Sequence, residues 1–318
     1  MSSEAVARPG ADARPRPAPG RRFSAVEIWF RVQVSLTYLF LFLPIALVVV
    51  LSFNATNRSV TDWQGFSIKW YQAALDSEQV QKALWNSITI AVINALLACT
   101  FGTMAALGLQ RVRPRLRVAF DALTYISVII PEIVIALATL VLFRLLQDAA
   151  NPTLAELSGG KLKIGLGQWS VIAAHVLFNT SLVLLLVRAR LAGMDRTHVE
   201  ASYDLYATPW RTFRQITFPQ LLPAIIAGFL LAFTFSFDDY VITQFVSGPG
   251  SQTLPLFVFG QTRQGITPLV NAVAAMMLLL TLTVLLGGQL LLNWNARRSG
   301  GSAQAAGVAG IVAENAAG

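Results

Sequence analysis

Apolar residues are gathered into six long stretches, 32–52, 83–108, 122–143, 168–187, 221–237 and 268–292, separated by polar segments. A helix rises about 1.5 Å per residue, so about 20 residues cross the hydrocarbon of a bilayer, and the six stretches match that length. None alternates apolar with polar residues as the strands of a barrel do. The pattern predicts an all-α integral membrane protein with six transmembrane helices. Within them the single formal charge is Glu132 in the third. The fifth stretch is short and is expected to continue as helix through Asp238, Asp239 and Tyr240 into Val241-Ile242-Thr243.

Composition agrees with this class. The chain of 318 residues is 55% hydrophobic and 13% charged, whereas soluble domains are about a quarter charged. A lone cysteine, Cys99, excludes an internal disulfide, and two histidines without a Cys/His cluster speak against structural zinc. The net charge of +8 is unevenly spread: 17 Lys and Arg fall in the segments on the N-terminal side of the membrane and 7 in the others. Arg111, Arg113, Arg115 and Arg117 directly follow the second stretch. The positive-inside bias then places both termini in the cytoplasm and makes nucleic-acid binding the weaker explanation of the charge. Residues 1–31 and 297–318, rich in Arg, Pro, Ala, Gly and Ser, are expected to be disordered cytoplasmic tails around a membrane domain of residues 32–296. The first stretch suits an uncleaved anchor better than a signal peptide, because no clear small-x-small cleavage site follows it.

The polar segment 195–219, between the fourth and fifth stretches, predicts two short helices. Thr197-His198-Val199-Glu200 has the spacing of a capping box. Thr208-Pro209 supplies a second N-cap with proline at the first helical position, and that helix is expected to end near Thr217, before Pro219. Such a pair could form a rigid knob for another protein to grip; an amphipathic helix lying in the membrane interface is the plainer alternative.

The residues of this segment carry a resemblance. Glu200-Ala201-Ser202, Asp204-Leu205, Ala207, Pro209-Trp210, Phe213, Ile216 and Pro219 resemble the EAA loop of ABC importer permeases. Leu43-Pro44-Ile45, Ser52-Phe53-Asn54, Trp85-Asn86-Ser87, Ile130-Pro131-Glu132, Ser236-Phe237-Asp238-Asp239-Tyr240, Gly248-Pro249, Thr253-Leu254-Pro255-Leu256, Ile266-Thr267-Pro268 and Asn271-Ala272 are similar to the spermidine/putrescine branch of that family, over about residues 32–296. The resemblance implies a permease subunit, not an enzyme, of an ATP-driven importer in the bacterial inner membrane. It implies a coupling loop of Glu200, Ala201, Asp204, Tyr206, Ala207, Pro209, Ile216 and Pro219 that docks on an ATPase. It also implies two copies of that ATPase carrying ATP and Mg, a second permease that is commonly a different chain, and an extracytoplasmic substrate-binding protein. Related permeases differ in cargo, so an opine, an aminophosphonate, thiamine or ferric ion are the alternatives to a polyamine. In one departure from the family, Tyr206 stands where Gly usually allows a left-handed turn. Ser202 in place of the second Ala is milder.

No phosphate-cradling loop accompanies these features: Gly159-Gly160-Lys161-Leu162 lacks the first Gly and the hydroxyl residue of Gly-x-x-x-x-Gly-Lys-Ser/Thr. An ATPase-independent carrier or a membrane scaffold is the alternative of a different class. Four residues are candidates for a cation pathway: Glu132, Asp238, Asp239 and Tyr240. Glu132 is expected about ten residues into the third helix, kinked by Pro131, where a carboxylate should face a cavity or a partner, not lipid. Asp238 and Asp239 are expected near the outer surface, where acids are cheap and an ordinary solvated helix end is the alternative. With Tyr240 they offer carboxylates and an aromatic face to ammonium groups. His175 is expected as a packed, hydrogen-bonded helix residue, Asn86, Asn94, Asn271 and Gln289 as cross-helix links, and Gly102, Gly108, Gly287 and Gly288 as points of close helix contact.

Overall fold

The computed structural model describes residues 25–298, apart from 58–59, 61, 160–162, 196 and 264. Residues 1–24 and 299–318, most of the two expected tails, lie outside the described residues. The described chain is helical: α1 Ala25–Ser52, α2 Lys69–Asp76, α3 Glu78–Gly108, α4 Pro114–Ile129, α5 Glu132–Ser158, α6 Gln168–Ala192, α7 Thr197–Asp204, α8 Pro209–Thr212, a π turn Phe213–Thr217, α9 Phe218–Phe237, α10 Val241–Val246, α11 Leu254–Thr262 and α12 Pro268–Arg298. Among the described residues no strand forms, and an antiparallel bridge joins Asn54 to Phe66. Six helices are long and apolar enough to cross a membrane. The described residues up to Leu47 and those from Val48 onward form separate units. The first contains most of α1, which begins at Ala25, inside the expected tail, and carries no charge after Arg31.

In the second unit α3, α6 and α9 form the core. Ala91, Ala95, Ala98, Cys99 and Ala106 of α3 pack with Val183, Leu184 and Val187 of α6 and Leu221, Ala232, Phe233 and Phe237 of α9. Small side chains on α3 let the backbones approach, the recurring solution where lipid gives helices no hydrophobic reason to associate. At Gly102 an added Cβ would lie 2.8 Å from Val183 Cβ, and at Gly288 2.2 Å from Leu230 Cδ1, so both are contact points; Gly108 and Gly287 have open space instead. Asn94 donates to the Ala232 carbonyl (3.0 Å) and accepts from Asn179 (3.3 Å), tying the three helices together. Asn86 donates to the carbonyls of Gly250 and Gln252 at 2.9 Å each. Gln289 bonds Asn293 on its own helix, so it is not a cross-helix link.

The expected third span, 122–143, is not one helix. It is split between α4 and α5 at Ile130-Pro131, both in extended conformation. Pro131 has no N–H for the Ser127 carbonyl, and its ring pushes the preceding residue out of the α region, which turns the expected kink into a break. Glu132 is therefore the first residue of α5 and does not lie inside a continuous helix. Arg188 of α6 holds α4 through a bidentate pair with Asp121. The fifth span also stops earlier than expected. α9 ends at Phe237, and Asp238 to Tyr240 leave the helix before α10 begins. α10 packs Ile242 and Val246 against Ala136 and Phe143 of α5, Val171 and Ala174 of α6, and Ile90 of α3.

Beyond α10, Ser170 donates to the Val246 carbonyl (2.7 Å), and the chain passes so close to the start of α6 that a Cβ on Gly248 would lie 1.9 Å from the Leu166 carbonyl oxygen. Gly248→Ala must push two backbones apart and is expected to cost about 1–3 kcal/mol. Gly260→Ala, in open space, should cost less than about 0.5 kcal/mol. Thermal unfolding of the two variants in detergent checks the difference.

Candidate functional site

Two features stand apart from the packed helices: the loop between α6 and α9, and a cluster of acids around the α9–α10 break. In the loop, Asp195 starts α7. The Thr197 hydroxyl and N–H donate to Asp195 Oδ1 at 2.6 and 2.9 Å, and these bonds hold the carboxyl below the usual range. The expected capping box is thus replaced. Thr197 donates its hydroxyl to the acid two residues earlier, which is a better acceptor than a neutral hydroxyl because it is ionised.

At its other end α7 closes in a Schellman motif. Ala207 N–H donates to the Ser202 carbonyl at 3.0 Å and Tyr206 N–H to the Tyr203 carbonyl at 2.9 Å, which satisfies the last free carbonyls of the helix. The motif requires a left-handed residue, and Tyr206 supplies it with φ of 59°. The turn usually made by Gly is therefore kept despite the Cβ, and the ring is thrown outward at 95% exposure. Leu205 (81%) and Trp210 (68%) are exposed beside it in the sequence. Beneath them the buried Ser202 and Thr212 hydroxyls bond at 2.9 Å, joining α7 to α8. Ser202, the mild departure from the family pattern, is thus a fastener that Ala could not provide.

Thr208 caps α8, accepting from Arg211 N–H at 3.4 Å, with Pro209 in its first turn as expected. The helix does not end before Pro219. The chain widens into the π turn, where Phe218 N–H reaches the Phe213 carbonyl, and runs on as α9. The wider turn accommodates a proline that has no N–H to give. Of the residues expected to couple to an ATPase, Glu200, Ala201, Asp204, Tyr206, Pro209 and Pro219 are exposed, and Ala207 and Ile216 are half-buried.

The second feature separates the two neighbouring acids. Asp238 is exposed and accepts a long 3.5 Å bond from Thr281 Oγ1 of α12. Asp239 is buried at 7% exposure, so it is no ordinary solvated helix end. Its Oδ2 lies 3.0 Å from His175 Nε2 and accepts from the Thr243 hydroxyl at 2.7 Å and the Thr243 N–H at 2.8 Å. Its Oδ1 accepts from Ile242 N–H at 3.3 Å. His175, 1% exposed, is completed by Ser236 Oγ, 2.7 Å from Nδ1. The half-buried Glu132 carboxyl, across the α4–α5 break, interacts with Asp239. Tyr240 packs on Phe259 at a tilt of 32° with ring centroids 4.1 Å apart, and the Arg263 guanidinium lies 5.3 Å from the Phe259 ring centroid. The two breaks thus bring Glu132, Asp239 and His175 together. His175 is packed and hydrogen-bonded, as expected, but its carboxylate partner from another span was not foreseen. The hydroxyl at Asp239+4 was the available clue, since Asp followed by Thr can cap a new helix. Among the described residues no cluster of His, Cys, Asp and Glu could hold a metal ion.

Residues 98–299 match the family described as "Binding-protein-dependent transport system inner membrane component". The chain belongs to this family. It is a multi-pass ABC transporter permease, not an enzyme. The permease is 35% identical over 254 residues to the spermidine/putrescine transport system permease protein PotC of Escherichia coli (strain K12), covering 80% of this chain and 90% of that one. It is 38% identical over 251 residues to the putrescine transport system permease protein PotI of the same strain, covering 79% and 85%. Among solved structures, it shares its fold with a chain of a bacterial alginate ABC transporter in complex with an alginate pentasaccharide-bound periplasmic protein. There the TM-score is 0.63 at 17% identity, over 85% of this permease and 94% of that chain. A chain of the MetNI methionine ABC transporter gives a TM-score of 0.54 at 16% identity, over 69% and 99%.

Two outcomes are expected for the loop. Tyr206→Gly relieves a left-handed side chain worth about 1–2 kcal/mol, offset in part by glycine's greater freedom when unfolded, so the permease should gain about 0.5–1 kcal/mol in thermal unfolding. Because the Asp195 carboxyl is held low, its cap contributes fully above the ordinary carboxylate range and is lost only as pH falls through the lowered value. The protection of the Thr197 amide relative to its intrinsic exchange rate should persist through mildly acidic pH and be lost only below it.

Proposed function

We propose that the permease forms half of the pathway of an ATP-driven importer for a small polycation, with spermidine or putrescine as the leading cargo. The observation that carries the cargo reading is the likeness to PotC and PotI over four-fifths of the chain. The site is compatible with it: the exposed Asp238 and half-buried Glu132 offer carboxylates, and the Tyr240–Phe259 pair offers an aromatic face. Asp239, engaged by His175, is the less available of the two neighbouring acids.

In the proposed cycle a loaded extracytoplasmic binding protein docks on the outer face, and two ATPase subunits carrying ATP and Mg close on the inner face. The loop of Glu200, Ala201, Asp204, Tyr206, Ala207, Pro209, Ile216 and Pro219 is gripped by one of them, with Leu205, Tyr206 and Trp210 as the apolar tip that enters the partner. Closure passes from the π turn into α9 and opens the pathway outward. Hydrolysis resets it inward. A second permease, a different chain, supplies the other half of the pathway. Both termini and the loop are cytoplasmic, a reading supported by the arginines that follow α3 and those at the C-terminal end of α6.

Uptake of labelled putrescine and spermidine by the complete reconstituted transporter tests this. Asp238→Asn and Glu132→Gln, at normal membrane levels, should lower uptake about tenfold, the scale of one lost charge-assisted contact; undiminished uptake removes these residues from the pathway. Separately, Glu200→Arg and Trp210→Ala should abolish co-purification of the ATPase, and full retention by both would remove the loop from coupling.

A further inference from the structure

The two adjacent acids at the α9–α10 break have different surroundings, and the difference defines separate tasks. Asp239 uses both oxygens inside the protein: Oδ1 takes the Ile242 N–H, and Oδ2 takes the Thr243 N–H and hydroxyl and faces His175 Nε2 at 3.0 Å. At 7% exposure it has no face left for a solute. Asp238, one residue earlier, is exposed and has a single long bond, from Thr281. We propose that His175 is a positioning residue: it clamps Asp239 as the cap of α10, and the break so fixed presents Asp238 as the carboxylate of the pair that meets cationic cargo. This rests on the polyamine reading above.

The geometry explains why a histidine suits the place. His175 sits on α6, with its ring spanning from Ser236 at the end of α9 to Asp239 and Thr243, which flank the start of α10. One planar side chain thereby ties the last turn before the break to the first turn after it. Both ring nitrogens are engaged, and at 1% exposure water does not compete for them. α10 is six residues long and cannot hold its own orientation without such an anchor. Asp238 closes α9, its N–H on the Thr234 carbonyl at 3.1 Å, and the turn from there to Asp239 sets where its carboxyl points.

The test uses the complete transporter in proteoliposomes, with putrescine and spermidine as probes, and amide hydrogen exchange of the same preparations. Asp238→Asn is expected to raise the half-saturating concentration about tenfold or more, the scale of one charge-assisted contact. Asp239→Asn keeps an oxygen that can accept from α10 and should stay within about threefold of the parent. His175→Gln, which keeps hydrogen-bonding atoms, should raise the half-saturating concentration less than His175→Leu. Neither should raise it further once Asp238→Asn is present, because His175 acts on cargo only through Asp238. Independently of cargo, exchange at Ile242 and Thr243 should quicken about tenfold or more in His175→Leu and Asp239→Ala, and not in Asp238→Asn. The proposal is overturned if Asp239→Asn is as damaging as Asp238→Asn, if the His175 and Asp238 effects multiply, or if exchange in α10 ignores His175. Should the unaltered transporter take up neither amine while exchange follows the stated pattern, the cargo reading falls and takes the role of Asp238 with it; the His175–Asp239 anchor of α10 stands.

Discussion

Within hydrocarbon a backbone N–H or C=O left without a partner costs several kcal/mol, so a membrane helix can stop only where something else takes over its hydrogen bonds. The two interruptions in this permease obey that constraint in different ways. At Ile130-Pro131 the chain interrupts the helix with a residue that has no N–H to satisfy, and α5 restarts with Val134 N–H on the Pro131 carbonyl. At Asp238 to Tyr240 the Asp239 carboxyl takes the N–H groups of Ile242 and Thr243. A carboxyl group inside the protein then has its own need for partners, which His175 and Thr243 meet. Asp239 is therefore a consequence of breaking a helix in a low dielectric as much as a chemical endowment.

The same constraint shapes the core. Alanines on α3 bring α6 and α9 near enough for Asn94 to bond the Ala232 carbonyl and for the Asn179 amide nitrogen to bond Asn94. Close backbones and buried amides support one another: the amides need the proximity, and the proximity has little apolar driving force of its own.

What the sequence made legible follows from what is periodic or local. Six spans could be counted because an apolar run of fixed length has few other uses, and the Thr208-Pro209 start held because a cap depends on neighbours in sequence. Where helices stop was less legible. Pro131 read as a kink because a proline can bend a helix or end it, and the extended Ile130 decides which. For Asp239 a solvated end stayed open as the alternative to a cation site, because its partner lies 64 positions away on α6. Thr197 looked like a cap, yet Asp195, a stronger acceptor two residues upstream, took that part. Pro219 looked like a terminator, and a single π turn let the helix pass through it.

That π turn has a geometric consequence. From Pro209 to Phe237 the chain is one helical run of 29 residues, unbroken between its foot and the Asp238 break. The extra residue in the turn rotates the foot by about 100° relative to an uninterrupted helix. Torque applied at Trp210 would thus reach the far end along one helical path, about an axis whose phase is set by a single added amino acid.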